Sequence, residues 1–138
     1  MLVIADSGVS SSTAAVVSDV SRIFQRQPQS TSGIFAEIGN ISRQARQLIQ
    51  EGKVEELGPL MDQNQRFLQE LSISSPELDR LVEAARIGGA AGAKLSGGGR
   101  GGNIIALVSS ETAANVERAL TSSGAVQTWI TTIPGGKG

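Results

Sequence analysis

The residues that could do chemistry are concentrated in one glycine-dense stretch. Five of the six residues from Gly97 to Gly102 are glycine, and apolar segments lie on both sides. Glycine adds backbone entropy that folding must remove, so a fold keeps such a run only where φ is positive or where another backbone or a ligand comes close. Clustered N–H groups in such a turn can form an anion-binding concavity. The run therefore predicts a loop that binds phosphate or contacts a phosphate-binding loop. The plain alternative is a flexible hairpin connection.

Two common nucleotide motifs are excluded by what surrounds the glycines. The segment 97–102 has the dinucleotide spacing G-x-G-x-x-G, but that fingerprint must open a helix. Here it is followed at Asn103 by a β-branched, apolar run that is typical of a strand. A P-loop needs Gly-Lys followed by Ser or Thr, and neither Lys94 nor Lys137 satisfies this requirement.

Three further polar features lie where side chains could face a site. Asp6 follows a short apolar run at the expected end of a strand, and a hydroxyl-rich segment that includes Ser12 and Thr13 comes next. Hydroxyls at a helix start can bind an anion, although they also serve as an ordinary N-cap and turn. Asn64 lies on an apolar helix stripe, where a buried amide needs hydrogen-bond partners. One alternative is that Asn64 bonds to the backbone of a neighbouring loop. The other is that Asn64 and Gln65 together face a ligand cleft or brace the glycine loop.

The composition excludes several function classes. There is no histidine and no cysteine, which removes the commonest general base, the commonest metal ligand and every thiolate site. A net charge of −1 with three Phe and one Trp gives no basis for nucleic-acid binding. No apolar run reaches the roughly 18 residues of a membrane span, and no basic signal-peptide segment opens the chain, so we expect a cytoplasmic protein. The carboxylates fall mostly on polar helix faces, and we predict no metal site and no catalytic residue.

The pattern of apolar residues predicts one strand, four helices, two strands, one helix and one strand. A polar break with Pro28 is expected at 27–32. The fourth helix begins at Ser75 as N-cap with Pro76 first, or with a capping box that joins Ser74 and Glu77. Ser110 is expected to cap the last helix. Strands are predicted at 2–5, 93–96, 103–109 and 126–133, and helices at 13–26, 34–52, 54–71, 76–87 and 111–123.

This order of elements fits an α+β sandwich of the ferredoxin-like kind. Such a domain has a four-stranded, mostly antiparallel sheet with helices packed on one face. The 138 residues are enough for one core but not for two. We assign residues 1–133 to a single domain and expect 134–138 to be a frayed tail. A core strand that begins at Met1 suggests that a further segment precedes it in a parent protein.

The glycine stretch resembles the third conserved motif of the GHMP kinase family, in which a basic residue and a Ser or Thr precede the glycines. Here that motif runs from Lys94 to Gly102 and an apolar strand follows. The segments Met61–Gln65 and Ser74–Arg86 resemble the mevalonate kinases of this family. Val3–Gly8 is similar to the strand and loop that open the C-terminal part of their archaeal and bacterial members. Three positions depart from the family pattern. This chain has Asn103 where Cys, Ser or Thr is usual, Asp62 where the family often has Asn, and Ser11 where animal members tend to have Arg.

The resemblance implies the C-terminal lobe of an ATP-dependent kinase that phosphorylates mevalonate in isoprenoid biosynthesis. ATP and Mg²⁺ would serve the complete enzyme. An N-terminal lobe, absent from this chain, would be the partner and supply the main phosphate loop, the metal ligands and the catalytic groups. The chain alone is expected to be inactive and to bind no cofactor tightly. The implied ATP-phosphate loop is Ser96, Gly97, Gly98, Gly99, Gly101 and Gly102, and the implied substrate side of the cleft is Asp6, Ser12, Thr13 and Asn64.

Two other functions stay open. The first is a non-catalytic ligand-binding or assembly module of ferredoxin-like fold. The second is a lobe of another GHMP kinase, such as a phosphomevalonate or sugar kinase, because acceptor-binding residues belong partly to the other lobe. If that lobe normally covers the sheet, an exposed apolar patch should remain on this chain. Because such patches drive self-association, a homodimer is considered as well.

Overall fold

Short apolar and β-branched segments form one sheet in residues 1–8, 13–71, 73–96 and 102–132, the part of the chain that the computed structural model describes. The sheet is four-stranded with the order β2-β3-β1-β4, and all three pairings are antiparallel. This arrangement confirms the predicted α+β, ferredoxin-like class. The strands are β1 (Leu2–Asp6), β2 (Gly92–Ser96), β3 (Asn103–Leu107) and β4 (Gln127–Thr131).

Helices fill the long connection between β1 and β2 and the shorter one between β3 and β4. Two of these helices begin with a proline, Pro28 and Pro76. Proline is favoured at the first helical position because its missing N–H has no partner there in any case. No helix within the described ranges is long and apolar enough to cross a bilayer. The helices are α1 (Thr13–Arg26), α2 (Pro28–Gln50), α3 (Leu57–Glu70), α4 (Pro76–Ile87) and α5 (Ala113–Ser122), with a 3₁₀ turn at Val54–Glu56 before α3.

The strands alternate between two faces, and each face has its own apolar cluster. On the main face, α4 and α5 pack on fully buried strand residues such as Val3 and Ile104. On the second face, a smaller cluster joins Leu107 of β3 to Leu57 and Met61 of α3, with parts of α2 packed against it. The main core therefore lies under α4 and α5, whereas α3 and α2 cover part of the second face, beyond the predicted packing of helices on one face.

The start of α3 contacts the start of β2 at backbone distance. A Cβ atom added to Gly92 would lie 2.2 Å from the carbonyl oxygen of Gly58, and one added to Gly58 would lie 2.4 Å from the carbonyl oxygen of Ala91. Atoms of that kind cannot approach so closely, so only glycine fits at both positions. This contact sets α3 directly beside the edge of the sheet.

Three details of the sequence-based prediction are wrong. Residues 27–32 are not a polar break, because α2 begins at Pro28 and only Gln27 separates it from α1. Ser110 does not cap α5, whose N-cap residue is Thr112. The stripe that begins at Val54 is not one helix, since its first residues form the 3₁₀ turn. The predicted tail at 134–138 lies outside the described residues.

The N-cap of α4 provides the first prediction. Of the two predicted caps, the structure has Ser75, whose side-chain oxygen accepts a 3.2 Å hydrogen bond from the N–H of Leu78. Loss of such a bond costs about 1 kcal/mol, so Ser75→Ala should lower the free energy of unfolding by about that amount in a urea titration. Ser110→Ala, which removes an exposed hydroxyl without a cap bond, is the control. Equal effects of the two changes would contradict the assignment.

Candidate functional site

Polar residues collect at one end of the sheet, which we call the sheet end. It is formed where β1 and β2 finish and where β3 and β4 begin. Asp6 pairs with Asn103 on one side and with Gln127 on the other, and Asn103 pairs in turn with Ser96. Antiparallel pairing thus places Asp6 and Ser96 at the same end of the sheet, with Asn103 between them, although they lie far apart in sequence.

Two loops meet at the sheet end. The N–H of Ser7, just after β1, donates a 2.9 Å hydrogen bond to the carbonyl of Gly102, the last residue of the glycine stretch. Gly102 has φ of +84°, which confirms a positive-φ position in that stretch. The segment that leads to the hydroxyl-rich loop and the end of the glycine loop are therefore joined by backbone.

The Asp6 carboxylate organises its own turn. Its Oδ1 accepts a 2.8 Å hydrogen bond from the N–H of Gly8, and its backbone carbonyl accepts from Val126 at 2.9 Å. Asp6 thereby holds the chain as it leaves β1 and also links it to the start of β4. The prediction that Asp6 stands at a strand end beside a loop is confirmed.

Some of the predicted site lies outside the described residues. This applies to Gly97, Gly98, Gly99, Gly101 and Ser12. Thr13 is described as the first residue of α1, but only its backbone. The structure therefore locates the two ends of the glycine loop, Ser96 and Gly102, and the roles given to its interior stay predictions.

Gln65, rather than Asn64, holds the strand that leads into the glycine loop. Its Oε1 accepts a 2.8 Å hydrogen bond from the N–H of Leu95, on the edge of β2 that has no strand neighbour. Its Nε2 donates to Ser74 Oγ at 3.0 Å and to Asp79 Oδ1 at 3.3 Å. Gln65 is 1% exposed, so its amide joins α3, α4 and β2 within the core.

Asp62 has the same role and lies about one helical turn earlier on α3. Its Oδ1 accepts a 3.1 Å hydrogen bond from the N–H of Ala93 and a 2.9 Å ionic hydrogen bond from Arg86 Nε. The edge of β2 is therefore covered by side chains of α3 at two successive outward N–H groups. The sequence prediction names Asn64 and Gln65 and gives Asp62 no part in this role, although the three-residue spacing of Asp62 and Gln65 on one helix is a signal that could have indicated it.

Asn64 faces a different place, a cavity between α2, α3 and β2. It is 8% exposed, which confirms its predicted burial, and it lines the cavity together with Lys94. Burial lowers the pKa of Lys94 below its ordinary value of 10.5, because the charged ammonium is less well solvated there. An amide and an ammonium therefore share one partly enclosed space beside β2.

The depressed pKa of Lys94 has a consequence for stability. Between that pKa and 10.5, the native lysine has lost its proton while the unfolded chain still binds it, so the free energy of unfolding should rise with pH in this window. Below the window Lys94 is charged in both the native and the unfolded state, so it contributes no pH dependence to the free energy of unfolding. Urea titrations at a series of alkaline pH values should show a rise that Lys94→Met abolishes. Lys53→Met, at an exposed lysine, should keep the rise, and a rise that persists without Lys94 would contradict the assignment.

The described residues offer no cluster of three or more acidic side chains that could hold a metal ion. We assign no step of the chemistry to a metal held here.

Comparison with known proteins points to one family. The family model described as GHMP kinases C terminal matches residues 45–126. Mevalonate kinase from Saccharolobus solfataricus is 42% identical over 102 residues, covering 74% of this chain and 32% of the relative. Mevalonate kinase from Aeropyrum pernix is 38% identical over 121 residues, covering 88% of this chain and 36% of the relative. This chain thus spans about a third of the length of these relatives.

A solved structure supports the same relationship. The mevalonate kinase of L. major, crystallised in complex with R-mevalonate, superposes with a TM-score of 0.86 at 37% sequence identity, over 93% of this chain and 40% of that one. The superposition extends over 93% of this chain, and the range matched by the family model includes the sequence of the glycine motif. The chain therefore belongs to the GHMP kinase family, of which it carries the C-terminal domain, and it is similar to the mevalonate kinases within that family.

Proposed function

We propose that this chain forms the C-terminal side of the ligand cleft in an ATP-dependent kinase that phosphorylates mevalonate. The relatives named above are mevalonate kinases, and one of them was crystallised with R-mevalonate. Because the chain spans about a third of their length, the proposal assigns the remaining machinery to an N-terminal lobe. The protein would work in the cytoplasm, where ATP is available.

The observation that carries the proposal is the hydrogen bond between Ser7 and Gly102 at the sheet end. It joins the end of the glycine loop to the turn that leads into the hydroxyl-rich segment before α1. In the proposal, N–H groups from Gly97 to Gly102 border the ATP phosphates, as free N–H groups in a concave loop can. The acceptor lies beside them, along Asp6, Ser12 and Thr13, with Asn64 on the same side of the cleft.

The reaction needs little covalent chemistry from this lobe. The bond between the γ-phosphorus and the bridging oxygen of ATP breaks while a bond to the primary hydroxyl oxygen of mevalonate forms, and ADP leaves. The hydroxyl proton passes to a base of the N-terminal lobe, since this chain has no histidine and its Asp6 is engaged with Gly8. Catalysis of this kind is mostly positioning and electrostatic stabilisation. The glycine loop and the sheet end would supply positioning.

The chain alone is therefore expected to be inactive, and a mixing experiment tests the proposal. The purified chain is combined with a separately expressed N-terminal lobe of a mevalonate kinase, and ATP-dependent phosphorylation of mevalonate is measured, with each half alone as a control. Activity only in the mixture would support the proposal. Activity of the chain alone, or association of the halves without activity on mevalonate, would contradict it.

A panel of acceptors separates mevalonate from its rivals. If the mixture phosphorylates phosphomevalonate or a sugar in place of mevalonate, the chain belongs to another branch of the family. If the halves neither associate nor react, a stand-alone binding module becomes the better interpretation. A chain with Gly33→Ala should give the same activity in the mixture as the unaltered chain, since Gly33 lies exposed on α2 and nothing lies within 4 Å of an added Cβ.

The edge strand β4 carries two exposed apolar side chains, one on each face of the sheet. Trp129 is 41% exposed and pairs with Ile4 on the second face, and Ile130 next to it is 46% exposed on the other face. In the proposal the partner lobe packs along β4 and covers both side chains, and the uncovered edge makes the chain self-associate when it is alone. Size-exclusion chromatography should then show a homodimer that the N-terminal lobe converts to a one-to-one complex.

A further inference from the structure

The cavity between α2, α3 and β2 has the features of a ligand site. We call it the Lys94 cavity. It has a volume of about 140 Å³ and lies on the second face of the sheet, two residues along β2 from Ser96. Its lining is Ile41, Ser42, Ala45, Leu57, Leu60, Met61, Asn64 and Lys94.

The described residues supply no counter-ion to Lys94. In the described ranges, no carboxylate lies within the 4.0 Å that defines an ion pair with its ammonium. Every Asp and Glu of the sequence falls within those ranges. A partly buried ammonium without an anion is costly, so an anion from outside the chain would be stabilised here.

Asn64 supplies a second polar group in the same wall. Its side chain is 8% exposed, and within the described residues its amide has no hydrogen-bond partner. The neighbouring amide of Gln65, by contrast, is fully engaged with Leu95, Ser74 and Asp79. An N–H donor beside an ammonium matches the two oxygens of a carboxylate.

The rest of the wall is apolar and small. Besides Ser42, five side chains from α2 and α3 are aliphatic or thioether, which favours a ligand with a hydrocarbon body over a bare inorganic ion. A cavity of about 150 Å³ holds benzene, a molecule of six heavy atoms. A four-carbon carboxylate such as butyrate also has six heavy atoms.

We infer that the Lys94 cavity binds a small aliphatic carboxylate, with its carboxylate on Lys94 and Asn64 and its hydrocarbon body against α2 and α3. Nothing in the family match assigns this site. The inference extends the role proposed for Asn64 and rests on the proposed function only in that respect. Binding to the chain alone is measured without ATP or the other lobe, so its failure leaves the kinase proposal standing.

The test is titration of the ¹⁵N-labelled chain with sodium butyrate, followed by NMR at constant ionic strength. Saturable shifts of the Asn64 side-chain amide and of the Lys94 backbone amide are expected. Lys94→Met should weaken butyrate binding about tenfold, the loss expected for one charge-assisted hydrogen bond. Lys53→Met, at an exposed lysine, should leave binding unchanged. Acetate, with a shorter body, should bind more weakly than butyrate.

Each other outcome would overturn the inference. Phosphate binding in preference to butyrate would show an inorganic-anion site. Equal weakening by Lys94→Met and Lys53→Met would show non-specific charge effects, and the absence of saturable shifts would show no site. If Lys94→Met does not fold, Asn64→Leu is the second variant, and butyrate binding that it leaves intact would also contradict the inference.

Discussion

Replacement of Gly92 by alanine is expected to lower the free energy of unfolding by about 3 kcal/mol, the upper end of the usual range for overpacking. The reason is the nature of the neighbour. The new Cβ would lie 2.2 Å from the carbonyl oxygen of Gly58 and 2.6 Å from its Cα, and backbone cannot swing aside as a flexible side chain can. Either β2 or α3 must shift, and urea unfolding would measure the loss.

Gly58→Ala provides the sharper test because two effects oppose each other. Helix propensity alone would make alanine more stable than glycine by about 1 kcal/mol in α3. The contact with Ala91, where the added Cβ would lie 2.4 Å from a carbonyl oxygen, predicts destabilisation instead. Gly33→Ala on α2 has no such contact and should stabilise the protein slightly. A Gly58→Ala protein as stable as Gly33→Ala would show that α3 and β2 are not so close.

Replacement of Gln65 by leucine should cost about 2–3 kcal/mol, although leucine is apolar and of similar size. It leaves the buried N–H of Leu95 without an acceptor, at about 1–3 kcal/mol, and it also removes the bonds to Ser74 and Asp79. Chemical denaturation would measure the effect. Because Leu95 lies two residues before the glycine stretch, the amide protons of Leu95 and Ser96 should also exchange faster with solvent.

The matched control is Gln63→Leu, the same change on the exposed side of α3. It should alter the free energy of unfolding by less than about 0.5 kcal/mol. If the two substitutions have the same effect, Gln65 does not hold the edge of β2. If Gln65→Leu destabilises the protein while exchange at Leu95 stays slow, the loss arises in the link between α3 and α4.

Local sequence patterns were enough to predict most of the fold. The alternation of apolar residues gave the strands, and the spacing of Ile34, Ile38 and Ile41 gave a helix that the structure contains. Residues 27–32 were misread because their polar composition suggested a break, whereas Pro28 at a first helical position simply begins α2. Ser110 was misread because a serine before a helix indicates a cap, but α5 begins two residues after the expected point.

The site was harder to predict from the sequence than the fold, because its geometry depends on contacts between segments that are far apart in the chain. Asn64 and Gln65 are adjacent, and both fall on the buried side of α3. Only the position of β2 decides that Gln65 reaches Leu95 while Asn64 faces the Lys94 cavity. The tight contact of Gly58 with Gly92 was likewise invisible, since neither glycine lies in the conspicuous glycine run.

The central place of β1 in the sheet affects how the chain can fold during synthesis. Leu2 pairs both with Leu107 of β3 and with Thr131 of β4, so the first strand of this domain to be synthesised finds its partners among the domain's last strands. Such non-local pairing slows folding, because a long loop must close before its contacts form. Until β3 emerges, the apolar segment Leu2–Ala5 has no sheet partner, so a nascent chain would keep it unpaired while helices α1 to α4 between β1 and β2 are being synthesised.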